Sequence, residues 1–200
     1  MRAVPKAGAK SPDAPPRLFK NQGAWESWLE KNHAKSTGLW MRLAKKDSSL
    51  QSISYAVALE VALCYGWIDG QKKPENDRTW LQRFVPRSSK SIWSKINREK
   101  VENLMKAGRM KAAGLKVIEE ARSNGRWDAA YDSPSRSAVP DDFQAALTFN
   151  PRANQFFQTL DRANRYAILF RIQMVKKAET RARKIREFIA MLARHEKIHP

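Results

Sequence analysis

The segment SYAVALEVALCYG, residues 54–66, constrains the fold most, because it has the length of a helix and almost no polar face. Apolar side chains point to nearly every side of its axis, and Glu60 is its single charged residue. Ser54 at the start is a preferred N-cap residue, and Gly66 at the end favours helix termination. The segment therefore predicts a largely buried helix that other parts of the chain must cover.

Three shorter segments on either side of this helix have the pattern of β-strands. In LWMRLAKK, residues 39–46, apolar residues recur at every second position. WID at 67–69 and TWLQRFV at 79–85 have the pattern of a strand and its hairpin partner, separated by a polar loop. Together they predict a small antiparallel sheet.

Helical spacing dominates the rest of the sequence. GAWESWLEKNH, residues 23–33, predicts a short amphipathic helix, and after Arg87 the pattern is helical almost to the end. Leu115 is expected on the buried stripe of one of these helices. Asn150 and Asp161 are expected to cap two others.

The chain is therefore predicted to be α+β and mostly helical, with a small antiparallel sheet and packed helices followed by an all-helical C-terminal lobe. Four prolines and scattered charge in residues 1–17 indicate a disordered tail. DSPSRSAVP, residues 132–140, has no apolar period and indicates a linker. The expected N-terminal lobe is 18–131, and the expected helical C-terminal lobe is 141–200.

The charge balance is strongly basic. Lys and Arg total 38 against 20 Asp and Glu, which gives a formal net charge of +18. The excess is concentrated in residues 78–111, with ten Lys or Arg and two Glu, and in residues 161–200, with eleven and four acidic residues. Such a surface attracts anions, so we expect an anionic small molecule, an acidic protein surface or nucleic acid as partner.

The sequence also indicates a compartment. Cys64 is the single cysteine, which excludes an intramolecular disulfide and fits a reducing environment. Residues 1–17 contain no apolar core of a secretory signal, and no run of about 18 apolar residues occurs in the chain. We therefore expect a cytoplasmic protein without a transmembrane segment.

The stretch RFVPRSSKSIWSKIN, residues 83–97, predicts an anion site where the hairpin leads into the next helix. The first amide groups of a helix point outward at the positive end of its dipole, and Ser91 is expected to cap this one. The carboxylate of Asp69 is placed to hold an arginine in bidentate geometry. The predicted ligand-binding residues are Asp69, Arg83, Arg87, Ser91, Trp93, Ser94 and Asn97.

Ordinary structural roles compete with this hypothesis. Ser91 can simply cap the helix, Trp93 can pack in the core, and Asp69 can make an Asx turn. Glu60 needs a cationic partner if it is buried, and Arg42 or Arg83 is expected. An enzyme that uses Glu60 or Asp69 as general base is a weaker alternative.

Sequence-independent contact with nucleic acid is the principal alternative function. In the last helix Arg183, Arg186 and Arg194 lie away from the predicted apolar stripe, so they can follow a line of phosphates. No helix-turn-helix, RNP-like or zinc-finger signature accompanies them.

The sequence contains no pattern that points to a particular enzyme chemistry. His33, His195 and His199 do not suggest a catalytic triad, and metal-ligand spacing is absent. Neither a GxGxxG motif nor a P-loop occurs, so no cofactor is expected. A non-enzymatic binding protein is the favoured interpretation.

Six motifs resemble the YdeI/OmpD-associated family, also called bacteriocin-protection proteins. They are ALCYGWIDGQ (62–71), RFVPRSSKSIWSKIN (83–97), LMKAGRMKAAGL (104–115), NGRWDAAY (124–131), VPDDFQAAL (139–147) and KKAETRARKIREF (176–188). The resemblance implies a bacterial accessory protein associated with stress or bacteriocin tolerance. It implies no established reaction and no defined site residues.

Overall fold

A computed structural model describes residues 14–133 and 137–200. Most of the predicted tail, residues 1–13, and residues 134–136 of the predicted linker lie outside this part of the chain. Eight helices and four strands occur in the described residues, so the predicted α+β class is confirmed. None of these helices has the length and apolar character needed to cross a membrane.

The chain forms two compact units. The first unit comprises Met1–Ser91 and Glu99–Trp127, and the second comprises Ile92–Arg98 and Asp128–Pro200. The second unit thus includes a short segment that precedes the predicted linker.

A four-stranded mixed sheet lies in the first unit. Its strands are β1 (Arg17–Leu18), β2 (Leu39–Ala44), β3 (Trp67–Pro74) and β4 (Thr79–Pro86), in the order β1-β2-β4-β3. β2, β4 and β3 pair antiparallel, as expected, whereas the short β1 pairs parallel to β2. β1 begins at Arg17, the last residue of the predicted tail.

The helices around this sheet are α1 (Gln22–Asn32), α2 (Tyr55–Cys64) and α4 (Ala112–Ser123). The predicted cap of α2 is confirmed, because the Ser54 side chain accepts a hydrogen bond from the Val57 amide at 3.4 Å. Gly66 ends this segment with φ +74°, a conformation that glycine adopts without a steric penalty. Six of the ten residues of α2 are buried, as its apolar sequence requires.

Aromatic rings from distant segments form the core against the sheet. The Trp25 ring stacks on Trp28 at 5.4 Å and meets Trp67 edge-on at 6.3 Å and Phe84 at 5.6 Å. The indole N–H of Trp25 donates to the Ala58 carbonyl at 3.1 Å, so its polar atom is satisfied inside the core. This cluster fixes α1 and α2 on one face of the sheet.

α3 (Lys95–Lys106) starts later than the sequence suggests. The prediction of Ser91 as its N-cap is wrong: the Ser94 Oγ accepts from the Asn97 amide at 3.2 Å, and the helix begins at Lys95. Leu115 of α4 is also misplaced by the prediction, because it is 43% exposed. A glycine takes the buried position beside it: Gly114 is buried with Ile118 and Ala121.

After residue 140 the second unit consists of four helices joined by short connections, and a short segment follows the last helix. Its helices are α5 (Asp141–Thr148), α6 (Pro151–Thr159), α7 (Arg162–Gln173) and α8 (Ala178–Ala193). Both predicted caps are confirmed: Asn150 accepts from the Ala153 amide at 3.0 Å, and Asp161 from the Asn164 amide at 2.7 Å. Its core is apolar and includes Phe143, Leu147, Phe157, Ile168, Ile172, Ile185, Phe188 and Leu192.

Candidate anion-binding site

A β-bulge in β3 determines which side chains of this strand project from the face of the sheet that α1 and α2 cover. Asp69 pairs with Phe84 and Lys72 pairs with Gln82, so the register shifts between them. Because Phe84 and Gln82 are two apart, Asp69 and Lys72 lie on the same face. Regular alternation along β3 would have placed Lys73 there instead.

Gln82 replaces the hydrogen bonds that the bulge interrupts. It is 3% exposed, and its amide Nε2 donates to the carbonyls of Gly70 at 3.0 Å and Gln71 at 3.2 Å. Buried backbone carbonyls need such donors, which makes Gln82 a positioning residue for this part of β3.

Trp80 and Tyr55 form the aromatic side of the site. Trp80 pairs with Leu43 and Pro74, which places it on the same face as Lys72, and it is half-buried. The Tyr55 ring, on the first residue of α2, lies 5.9 Å from the Trp80 ring. The Lys72 ammonium lies over Trp80 at 4.4 Å from the ring centroid, within cation–π range.

The Tyr55 hydroxyl donates to Asp69 Oδ2 at 2.7 Å. Burial of the Tyr55 phenol raises its pKa, and the hydrogen bond to the Asp69 carboxylate raises it further. Tyr55 therefore stays protonated at neutral pH and acts as a donor. Asp69 lies inside β3, which continues to Pro74, so it does not make the Asx turn considered above.

Lysines complete the site. Two consecutive residues after β2, Lys45 and Lys46, are exposed, and with Lys72 and Trp80 they line a surface cavity of about 570 Å³. The Lys45 backbone amide donates to the Arg78 carbonyl at 2.9 Å, which fixes the start of this loop. Three ammonium groups beside an aromatic wall can bind a phosphate or carboxylate that carries a planar ring. We call Lys45, Lys46, Lys72, Trp80 and Tyr55 the lysine–tryptophan site.

Four of the seven predicted ligand-binding residues lie in the first unit. Asp69 adjoins the lysine–tryptophan site, but Arg83 lies on the opposite face of the sheet, where its guanidinium is 5.7 Å from the Trp40 ring. Arg87 has a buried Nε, and its amide donates to the Gly66 carbonyl at 2.9 Å. Ser91 Oγ accepts from the Ser88 amide at 3.1 Å in a local turn.

The other three predicted residues lie in the second unit. Trp93 is 2% exposed, in agreement with the core role considered for it. Ser94 uses its Oγ to cap the Asn97 amide, and the Lys95 amide donates to the Tyr131 carbonyl at 2.9 Å. Two of the helix-terminal amides assigned to an anion thus already have protein acceptors.

The prediction that Arg42 or Arg83 pairs with Glu60 is wrong. Glu60 lies between Arg109 at 3.4 Å and Lys100 at 3.8 Å, both contributed by segments later in the chain. Arg42 instead donates from Nε to both carboxylate oxygens of Glu75, at 3.0 and 2.8 Å. Glu60 has the structural ion-pair role considered more probable than catalysis, with different partners.

Two of the three arginines proposed for nucleic acid already contact glutamates. Arg183 lies 3.8 Å from Glu187, and Arg194 donates to Glu196 at 2.9 and 2.8 Å. Arg186 is exposed on α8. Among the described residues, no group of three or more His, Cys, Asp or Glu can hold a metal ion.

Comparison with known families divides the chain in a similar way. Residues 17–117 match a family described as a domain of unknown function (DUF8412), which is just over half of the chain. Residues 137–195 match the family described as Bacteriocin-protection, YdeI or OmpD-Associated. The chain belongs to the DUF8412 family and carries a YdeI/OmpD-associated domain. No curated protein and no solved structure gives a significant match.

The resemblance to the YdeI/OmpD-associated family is thus confirmed, over a shorter region than the six motifs suggest. The match covers α5 to α8 of the second unit, with the motifs at 139–147 and 176–188. The four earlier motifs fall outside it. The lysine–tryptophan site lies within the DUF8412 match.

Sequence reasoning missed most of the lysine–tryptophan site. Lys45 and Lys46 end a segment assigned wholly to a strand, and Lys72 is brought onto its face by the bulge alone. Gly70 lies inside the observed β3, where a glycine often marks a bulge, but the predicted strand ends at Asp69.

Proposed function

We propose that the protein is a non-enzymatic bacterial accessory protein that binds an anionic small molecule at the lysine–tryptophan site. The observation that carries this proposal is the cavity lined by Lys45, Lys46, Lys72 and the half-buried Trp80, whose ring carries the Lys72 ammonium at 4.4 Å. Bacteriocin protection is the context that the name of the matched family supplies.

The chemistry of the site favours a ligand with both a planar ring and a phosphate or carboxylate. The Trp80 and Tyr55 rings provide an apolar wall, and the Tyr55 hydroxyl is held by Asp69 at 2.7 Å. The lysines provide the cationic side, and an ammonium group binds phosphate as a compact point charge. A nucleoside monophosphate has both parts and is a suitable probe.

Calorimetric titration with AMP, adenosine and inorganic phosphate separates the contributions of ring and charge. We expect AMP to bind more tightly than either part alone. Lys72→Glu should weaken AMP binding at least about tenfold, because it removes one charge-assisted contact and adds repulsion. The matched control is Lys116→Glu, an exposed position of α4, which should change the affinity less than about twofold.

Two results contradict the proposal. One is equal weakening by Lys72→Glu and Lys116→Glu, which would mean that AMP responds only to the overall positive charge. The other is the absence of AMP binding to the parent protein, together with unchanged thermal stability in every phosphorylated or carboxylated ring compound tested.

A nucleic-acid strand is a second candidate ligand, because lysines beside aromatic side chains also bind single-stranded nucleic acid. The net charge of +18 supports this candidate. The logarithm of the affinity for a short oligonucleotide should then fall linearly with the logarithm of salt concentration. An affinity that does not vary with salt excludes it.

A further inference from the structure

A second cavity lies along α7 in the second unit, on residues that are mostly exposed or half-buried. Its volume is about 670 Å³, within the range of small-molecule sites. The helix residues that line it recur at helical spacing, and one residue from the C-terminal segment joins them. The lining residues are Arg162, Ala163, Tyr166, Ala167, Phe170, Arg171 and His199.

The walls and floor of this cavity are apolar and held in place. The small side chains of Ala163 and Ala167 leave a groove beside the rings of Tyr166 and Phe170, which pack against each other at 5.7 Å. The Tyr166 hydroxyl donates to the Asp132 carbonyl at 3.1 Å, and Phe170 meets the Tyr131 ring edge-on at 5.1 Å. The cavity therefore does not depend on freely rotating side chains.

A buried asparagine positions the C-terminal segment that borders the cavity. Asn164 is 1% exposed, and its Oδ1 accepts from the amides of Ile198 at 3.0 Å and His199 at 2.9 Å. Its Nδ2 donates to the His199 carbonyl at 3.3 Å. These bonds hold the segment around His199 against α7, where the His199 residue closes one side of the cavity.

An arginine lies at each end of the groove. Arg162 and Arg171 are nine residues apart, which corresponds to about 13 Å along a helix axis. Arg171 Nη1 donates to the Ala167 carbonyl at 3.1 Å, while Arg162 is exposed at the N-terminal end. None of the described residues that line the cavity is acidic. An apolar groove with a guanidinium at its end is complementary to a chain with an anionic head.

We propose that the α7 cavity binds a single-chain amphiphilic carboxylate, such as a medium-chain fatty acid. The alkyl chain lies along Ala163 and Ala167 against the Tyr166 and Phe170 rings, and the carboxylate pairs with Arg162. Arginine suits this role because its planar fork matches a carboxylate. The site is separate from the lysine–tryptophan site and does not depend on the function proposed there.

The test is a titration of the full chain with decanoate at concentrations below its critical micelle concentration. Binding is measured by calorimetry and by thermal denaturation. We expect saturable binding and a raised melting temperature, with decanol and acetate each binding at least about tenfold more weakly. Arg162→Glu should weaken decanoate binding at least about tenfold and leave AMP binding unchanged. The matched control is Arg186→Glu, an exposed charge on α8.

A second variant tests the groove without changing charge. Ala163 is exposed, so Ala163→Phe is compatible with the fold and should block the floor, abolishing decanoate binding while circular dichroism stays unchanged. The proposal is overturned by equal binding of decanol and decanoate, by equal effects of Arg162→Glu and Arg186→Glu, by full binding in Ala163→Phe, or by no saturable binding to the parent protein.

Discussion

The two units assemble their cavities from different parts of the chain. In the first unit, Trp67 packs against Trp25 and Trp28, about forty residues earlier. In the second unit, α8 packs against α5, α6 and α7, but six of the seven residues that line the cavity come from α7. The difference teaches that tertiary contacts assemble the site of the first unit, whereas one helix carries most of the cavity of the second.

The largest effect should come from the closest approach in the first unit. A Cβ on Gly114 would meet the Cys64 carbonyl oxygen at 2.3 Å, so Gly114→Ala forces α4 away from α2. We expect a loss of about 3 kcal/mol in the free energy of unfolding, measured in urea. Gly23→Ala is the control, because its nearest atom is 3.7 Å away and alanine favours a helix. Equal stability of the two variants would contradict close packing between these helices.

A smaller effect is expected from the buried polar residue of the second unit. Asn164→Ala removes three hydrogen bonds to the segment at 198–199, and the Ile198 and His199 amides then lack an acceptor. The free energy of unfolding should fall by about 2 kcal/mol. Hydrogen exchange of the Ile198 and His199 amides should speed up as well. Unchanged exchange at these two amides would show that Asn164 does not hold this segment.

Loss of the N-cap of α6 should lower the free energy of unfolding by less than the Asn164 substitution does. Asn150→Ala removes the acceptor for the Ala153 amide at the start of α6 and should destabilise by about 1 kcal/mol. Asn150→Asp keeps a side-chain acceptor at the same place and should retain most of the stability. If Asn150→Asp is as damaging as Asn150→Ala, local capping does not determine the start of this helix.

The smallest effect concerns the ion pair of Arg42 and Glu75 at the edge of the first unit. Hydrogen bonds from Arg42 hold the pKa of the Glu75 carboxyl below its ordinary value. The pair therefore stabilises the fold above the ordinary pKa of a glutamate, about 4.3, and this contribution is lost as the pH falls through the lowered value.

Glu75→Gln should cost less than about 1 kcal/mol at pH 7, because Arg42 is partly exposed. The difference from the parent protein should shrink as the pH is lowered from 7 to 3, measured by urea unfolding at each pH. A difference that grows on acidification would mean that the sign of the linkage is wrong.

Local sequence signals predicted the elements well and their partners poorly. The caps Ser54, Asn150 and Asp161 and the apolar stripe of α8 act within one or two helical turns, so the sequence contains them directly. The contacts of Glu60 depend on where later segments pack. No local pattern encodes that packing, and for this reason Arg42 was assigned to the wrong carboxylate.

The candidate site shows the same division. Asp69 was singled out, yet its partner Tyr55 lies fourteen residues earlier and the contact requires the packing of α2 on the sheet. Lys72 lies beside Trp80 because the bulge changes the face on which it projects. A prediction that assumes strict alternation along the strand cannot include this change of face, although a glycine such as Gly70 often marks a bulge.

The indole signals of the protein provide the most direct test of anion binding beside Trp80. A proton–nitrogen NMR spectrum should contain seven indole N–H signals, and Trp80→Phe identifies the one of Trp80. On titration with AMP, we expect this signal to shift progressively and saturate, while those of buried Trp25, Trp67 and Trp93 stay in place. Saturable shifts at the other indoles with a stationary Trp80 signal would contradict the lysine–tryptophan site.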